Sequence, residues 1–328
     1  MGIPGRENDL GIEHQTPAAK GRRFSRRGWI SGVGLGLAGI GAGLAYRVSP
    51  TFWRQYFNEL GRDVAPPSAI PKVRQWTDRG LYAAWLGHST VLLRLDGFTI
   101  LTDPVFSTRI GLRLGPVTLG LKRLVEPALR LPGLPKIDLV LLSHAHMDHF
   151  DLPSLKALES LRPPVVTARN TSDLLDVGGY ARVSEIGWDE RVNVGPATIE
   201  GIRVNHWGAR MRTDTWRGYN GYVIRCGRWK VLFAGDTAWT DDFKGIGGAH
   251  LAVMPVGAYN PWIRYHCSPE QAWTMANHAK ADYVVPVHHR TFSLSREPIG
   301  EPAERLLKAA GGTSRVGWQD IGQQFELS

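Results

Sequence analysis

The chain has 328 residues, 43% of them apolar and 21% charged, enough to bury a substantial core and too hydrophobic for wholesale disorder. Its net charge is +9, but residues 1–47 hold seven Lys/Arg against three Asp/Glu, so +4 lies there and only +5 is left for the rest; with no aromatic stacking platform or recognition motif beside these charges, nucleic acid is not an expected partner. Two cysteines, Cys226 and Cys267, exclude a disulfide framework and a Cys-rich metal site, so a bound metal must draw mainly on the eleven histidines.

Residues 1–24 are polar and rich in turn formers. They lead into Ser25-Arg26-Arg27-Gly28-Trp29-Ile30-Ser31 and an uncharged stretch to Ala45, an order similar to a twin-arginine export signal. Seven of the eighteen residues from Gly28 to Ala45 are Gly, too weakly apolar for a good permanent membrane helix. The expectation for 1–47 is therefore engagement of the export machinery and a periplasmic location, with an uncleaved amino-terminal anchor as the alternative. Residues 48–74 read as a linker with a short amphipathic piece at 53–60.

From residue 75 to 328 the pattern predicts one α/β domain. Short β-prone runs at 81–86, 90–95 and 98–102 open it, with Asp96-Gly97 as a hairpin signal between the last two. The connection 105–136 carries Arg109, Arg113, Lys122, Arg123, Arg130 and Lys136 against the single acid Glu126, interleaved with apolar residues. Its length implies a functional loop or an unrecognised element, and its composition reads either as a solvated segment with an apolar underside or as an interface for anionic lipid at a membrane surface. The run 139–142 is continuously apolar, as expected of a strand buried on both faces. Further strands are predicted at 163–168, 197–204, 221–225, 230–234, 251–255 and 283–287. Helices are predicted at 152–161, 269–278 and 302–309, the second capped by Ser268 with Gln271 three residues on.

The segment after the buried run 139–142 is Ser143-His144-Ala145-His146-Met147-Asp148-His149-Phe150-Asp151. On a loop leaving a strand, side chains in the pattern His-x-His-x-Asp-His can fan around a point, and imidazole nitrogen with carboxylate oxygen suits zinc, although such sites also accept iron or manganese. One short loop cannot surround two metals, so a dinuclear site needs ligands from other strand ends. His206 follows the run ending at Val204, Asp236 follows Val231-Leu232-Phe233-Ala234-Gly235, and His288 follows Tyr283-Val284-Val285-Pro286-Val287. A lone buried His or a Gly-Asp turn is commonplace; three such residues at strand ends, beside this motif, are not.

Taken together, these residues resemble the metallo-β-lactamase superfamily. Trp85-Leu86-Gly87-His88-Ser89-Thr90, Leu101-Thr102-Asp103-Pro104-Val105-Phe106-Ser107, Asn205-His206-Trp207 and Val256-Gly257-Ala258-Tyr259 resemble, more narrowly, the branch of N-acylphosphatidylethanolamine-hydrolysing phospholipase D. The resemblance covers roughly residues 75–295 and implies an αββα sandwich with a dinuclear zinc site on one edge. It implies one zinc on His144, His146 and His206, a second on Asp148, His149 and His288, and Asp236 bridging them. Where that branch usually has Trp-Gly-Thr-Phe after the last ligand, this chain has His289-Arg290-Thr291-Phe292, which leaves His289 as the alternative to His288.

Two zinc ions activate water for attack on phosphorus or on a carbonyl, and no Gly-x-Ser-x-Gly elbow points to a Ser nucleophile instead. The resemblance suggests hydrolysis of a phosphodiester, with a phospholipid as substrate. A lactone or other carbonyl ester on the same site is the second reading, and a non-catalytic metal-binding envelope protein the third. Asp148 and His266 are the candidates for catalytic roles; His266 reads equally as a packed residue at the entry to the helix after Ser268. His88 and Asp103 are expected behind the ligands, orienting them, although Thr102-Asp103-Pro104 is also an ordinary turn.

Overall fold

The computed structural model describes residues 50–115 and 117–328, and the export-like segment 1–47 lies outside the described residues. In chain order the strands are β1 (Leu81–Gly87), β2 (Thr90–Leu95), β3 (Phe98–Thr102), β4 (Arg109–Leu114), β5 (Val117–Lys122), β6 (Leu139–Leu142), β7 (Pro164–Ala168) and β8 (Arg182–Ile186). They continue with β9 (Arg191–Val194), β10 (Ala197–Ile202), β11 (Gly221–Cys226), β12 (Trp229–Phe233), β13 (Ala249–Pro255), β14 (Ala281–Val287) and β15 (Gln324–Leu327). The helices are α1 (Pro50–Leu60), α2 (Leu152–Leu158), α3 (Pro269–His278) and α4 (Glu301–Ala309). Among the described residues no helix is long and apolar enough to cross a membrane.

The strands make a seven-stranded sheet, β15-β1-β2-β3-β6-β7-β8, a six-stranded sheet, β14-β13-β12-β11-β10-β9, and a separate hairpin, β4-β5. The period of two in a strand explains the layering. In β12, Val231 and Phe233 join the large core that also holds Leu92, Leu101 and Leu141 of the other sheet, while Leu232 joins a second core with Ala272 and Met275 of α3. Val253 and Val285 likewise face the first core, Ala252, Met254 and Val284 the second. The six-stranded sheet is thus covered on both faces, which is why the carboxyl-terminal parts of β12 to β14 read as apolar runs. This is the αββα sandwich.

Direction within the sheets decides where the site lies. β1 is antiparallel to β2 and β2 to β3, so β1 and β3 run the same way, and β6 is parallel to β3. In the other sheet β12, β13 and β14 are parallel, and β10, two antiparallel steps from β12, joins their direction. In each sheet, the carboxyl ends of the strands carrying candidate residues therefore gather on one edge.

Several elements differ from the sequence expectation. The connection 105–136 contains β4 and β5, paired from Arg109↔Lys122 to Leu114↔Val117. β8, β9 and β15 were not predicted; all three are short and partly exposed. The segment expected as a linker carries α1, and beyond it Ala65 and Ser68 donate backbone hydrogen bonds to Leu124 O and Ile321 O at 2.9 and 3.0 Å. Cys226 and Cys267 are free, buried thiols in different cores.

Candidate metal centre

β6 ends in a tight loop that begins at Ser143, and Phe150 N closes it by donating to His146 O at 2.8 Å. His144 Nε2 lies 2.8 Å from His146 Nδ1, and His206 Nε2, beyond the end of β10, lies 3.2 Å from the same atom. On the other side, Asp148 Oδ2 is 3.6 Å from His149 Nε2 and 3.4 Å from His288 Nε2. Two ligand atoms on one tetrahedral zinc, each about 2.0–2.1 Å from the metal, stand about 3.3 Å apart. The four separations above, from 2.8 to 3.6 Å, bracket that value.

Asp236 joins them. Its Oδ2 is 3.1 Å from His149 Nε2, 3.0 Å from His288 Nε2 and 3.9 Å from His206 Nε2. Gly235, at φ +60, turns the chain out of β12, and a Cβ there would come within 2.7 Å of Asn220 O and 3.0 Å of Ser143 Cβ. Only glycine brings Asp236 this close over the loop after β6.

The outward Nδ1 atoms of His206, His149 and His144 face acceptors, which turns Nε2 of each ring inward. His206 Nδ1 donates to Tyr265 O at 2.8 Å and His149 Nδ1 to Asp103 Oδ2 at 2.7 Å. His144 Nδ1 is 2.8 Å from Ser143 Oγ, whose hydroxyl donates to Asp103 Oδ2 at 2.6 Å. His149 Nε2 and His288 Nε2 face the carboxylate oxygen Asp236 Oδ2, and Asp236 Oδ1 is buried with no hydrogen-bond partner among the described residues. Buried polar atoms rarely remain unpaired, so these inward-facing donors fit a bound cation.

Electrostatics follow from burial and from the two carboxylates. Burial holds His144, His146 and His206 well below the ordinary imidazole range, His146 at about 4, so this triad is neutral at pH 7. For His288 burial opposes the charge, but Asp236 and Asp148 hold it up at about 9. His88, beyond the end of β1, places Nε2 2.9 Å from Asp148 Oδ2, and burial lowers its own pKa to about 3. His88, Asp103 and His288 all adopt left-handed backbone, at φ 50, 32 and 62, a conformation that non-glycine residues take where the surroundings enforce it.

Comparison with known proteins agrees with this geometry. The family model described as "Beta-lactamase superfamily domain" matches residues 99–289. An uncharacterized protein of Mycobacterium tuberculosis is 34% identical over 265 residues, covering 77% of this chain and 70% of its own length. N-acyl-phosphatidylethanolamine-hydrolyzing phospholipase D 1 of Caenorhabditis elegans is 30% identical over 253 residues, 70% of each chain. This chain belongs to the metallo-β-lactamase superfamily, as a metal-dependent hydrolase. Among solved structures, Igni18, a metallo hydrolase from the archaeon Ignicoccus hospitalis, shares the fold with a TM-score of 0.58 at 21% identity, covering 76% of this chain and 99% of its own.

All seven residues expected around the metals meet in the cluster of this superfamily member. Asp103 stands behind it on His149 Nδ1, whereas His88 itself groups with Asp148, His149 and His288. At the last strand end the cluster takes His288; His289 turns away, its ring 4.6 Å from that of Trp85. His266 Nδ1 lies 3.7 Å from Asp236 Oδ2, so it borders the centre. Two contributors escaped the sequence reading. Ser143 orients His144, and its only signal was its place immediately before the motif. Arg210 Nη1 donates to Ala145 O and Phe150 O at 3.0 and 2.8 Å, strapping the two sides of the loop, and no local pattern marks it.

Proposed function

We propose that this chain is a dizinc phosphodiesterase that hydrolyses a phospholipid of the N-acylphosphatidylethanolamine class, releasing the alcohol from phosphorus. The observation that carries the reading is the position of Asp236 Oδ2, within 3.9 Å of ligand nitrogens from both triads. One carboxylate shared between two sets of three donors supports two ions rather than one. Imidazole and carboxylate donors suit zinc. The similarity to the Caenorhabditis elegans phospholipase D supports the lipid substrate.

Bound there, two divalent ions supply Lewis acidity and a water nucleophile at neutral pH. The protein residues supply placement. Asp103 and Ser143 fix the rings of His149 and His144, the Tyr265 carbonyl fixes that of His206, and His88 holds Asp148. His266 is kept neutral at pH 7, burial lowering its pKa to about 4, and its ring borders Asp236 on the partly open side of the cluster. There it is placed to hydrogen-bond the substrate's phosphoryl or leaving oxygen.

The test compares purified protein with His146→Ala for metal content and for hydrolysis of bis(p-nitrophenyl) phosphate, then of N-acylphosphatidylethanolamine in mixed micelles. About two zinc per chain and both activities, lost together in the variant, are expected. Stoichiometric zinc with neither activity would move the function to carbonyl esters.

A further inference from the structure

The β4-β5 hairpin pairs with neither large sheet, and its outer half leaves Leu112, Leu114 and Val117 exposed. Exposed apolar side chains on a free hairpin call for an explanation. Between the hairpin and the loop after β6 runs a groove of about 170 Å³. Its apolar walls include Leu112, Met147, Leu152 and Met211. Met147 stands between His146 and Asp148 in the chain, so the loop that carries candidate ligands also supplies part of the groove wall. Pockets that enclose a whole small molecule measure roughly 300–1,000 Å³, so this one suits part of a larger ligand. Two methionines give it walls that adapt to a flexible chain.

The groove is also electropositive. Arg113 and Arg210 line it. Among the described residues, Arg113 gives only Nε to a neighbour, Gly115 O, which leaves both its terminal amino groups to the groove or to water. Arg210 uses Nη1 on the two loop carbonyls and has Nη2 and Nε to spare. The one acid in the lining, Asp151, is buried and accepts from the hydroxyls of Ser107 and Ser154. Three arginines, Arg109, Arg113 and Arg210, thus line the groove against a single carboxylate.

We propose that this groove binds the apolar chain of an anionic amphiphile, with Arg113 and Arg210 supplying the counter-charge. The assignment stands on the groove alone; its link to turnover rests on the phosphodiesterase reading above. A neutral chain would leave the guanidiniums without a partner, and a cationic one would be repelled.

The experiment is calorimetric titration of the full-length, metal-loaded protein with decanoate, decanol, decyltrimethylammonium and inorganic phosphate. Wild type is compared with Arg113→Glu and Leu112→Glu, both at exposed positions, each checked for an unchanged thermal midpoint. Decanoate binding is expected, weakened at least about tenfold by either substitution, with decanol and decyltrimethylammonium binding weakly or not at all. Decanoate binding that is absent, or equally tight in both variants, overturns the assignment. So does phosphate binding as tightly as decanoate, the behaviour of a plain anion site. Because the readout is binding, such a failure leaves the phosphodiesterase reading to its own test with His146→Ala.

Discussion

Asp103 Oδ2 stands 2.7 Å from His149 Nδ1 and accepts from Ser143 Oγ at 2.6 Å, so one buried carboxylate orients two imidazoles on the loop after β6, one of them through a hydroxyl. Its other oxygen accepts from Ser143 N at 2.7 Å, which ties the start of the loop to the end of β3. Loop position and ring orientation thus depend on the same side chain.

Asp103→Asn keeps the size of this group and removes its charge. Losing such an orienting partner typically lowers metal affinity about 10–100-fold. Competition with a chromophoric chelator should show metal leaving the variant at correspondingly lower chelator concentrations. Equal retention in both proteins would mean that His149 is held in place by packing instead.

The site was more legible in the sequence than the fold around it. His144, His146, Asp148 and His149 share one short loop, and His206, Asp236 and His288 each follow an apolar run, because ligands that converge on a sheet edge must sit at strand ends. Asp103 and His88 lie in the segments that carry the resemblance. What escaped notice lacked a periodic apolar signal. β8 is Arg182-Val183-Ser184-Glu185-Ile186 and β15 is Gln324-Phe325-Glu326-Leu327, short strands with at most half their residues apolar. The length of the connection 105–136 allows an unrecognised element, but the hairpin β4-β5 within it shows no clear strand period; its strands bury little, and backbone pairing between neighbours in sequence defines it. Arg210 acts through carbonyl oxygens, which every residue has, so nothing in its sequence neighbourhood points to its partners.

Close backbone approach makes Gly257 a second control point. A Cβ at this position would fall 2.2 Å from His288 O, so alanine cannot be accommodated unless the chain after β14 moves. Overpacking of this kind costs about 1–3 kcal/mol. Here the displaced residue is itself a candidate ligand, so Gly257→Ala should lower both the urea midpoint and the metal content. Normal metal content in a destabilised variant would show that His288 tolerates the shift.

Lys280 ends α3 in the left-handed region, at φ 54, and its N–H donates to Asn277 O at 2.9 Å. Its side chain is exposed, and a non-glycine residue in this conformation costs roughly 1–2 kcal/mol. Lys280→Gly relieves that strain, partly offset by the entropy glycine brings to the unfolded chain. The expected net gain is about 0.5–1 kcal/mol in denaturant unfolding, with metal content unchanged. A loss of stability would mean that the lysine side chain makes a favourable contribution larger than the strain.

Glu270, in the first turn of α3, meets Arg305 of α4 in a two-pronged ion pair, Nε to Oε1 and Nη2 to Oε2, both at 2.8 Å. The Arg305 hydrogen bonds draw the Glu270 carboxyl down to about 2 from an ordinary value of 4.5. Because the folded-state pKa lies below the unfolded one, the pair's contribution is complete above about pH 4.5 and is lost as the pH falls towards 2. Both side chains are more than a third exposed, so water screens the pair and the contribution at neutral pH is at most about 1 kcal/mol. Glu270→Gln should therefore be less stable than wild type by a constant margin from pH 7 to pH 5 in urea unfolding, and the margin should shrink at pH 4 and again at pH 3. A margin that stays the same down to pH 3 would assign the stabilisation to neutral hydrogen bonding between the two helices and not to the charge on Glu270.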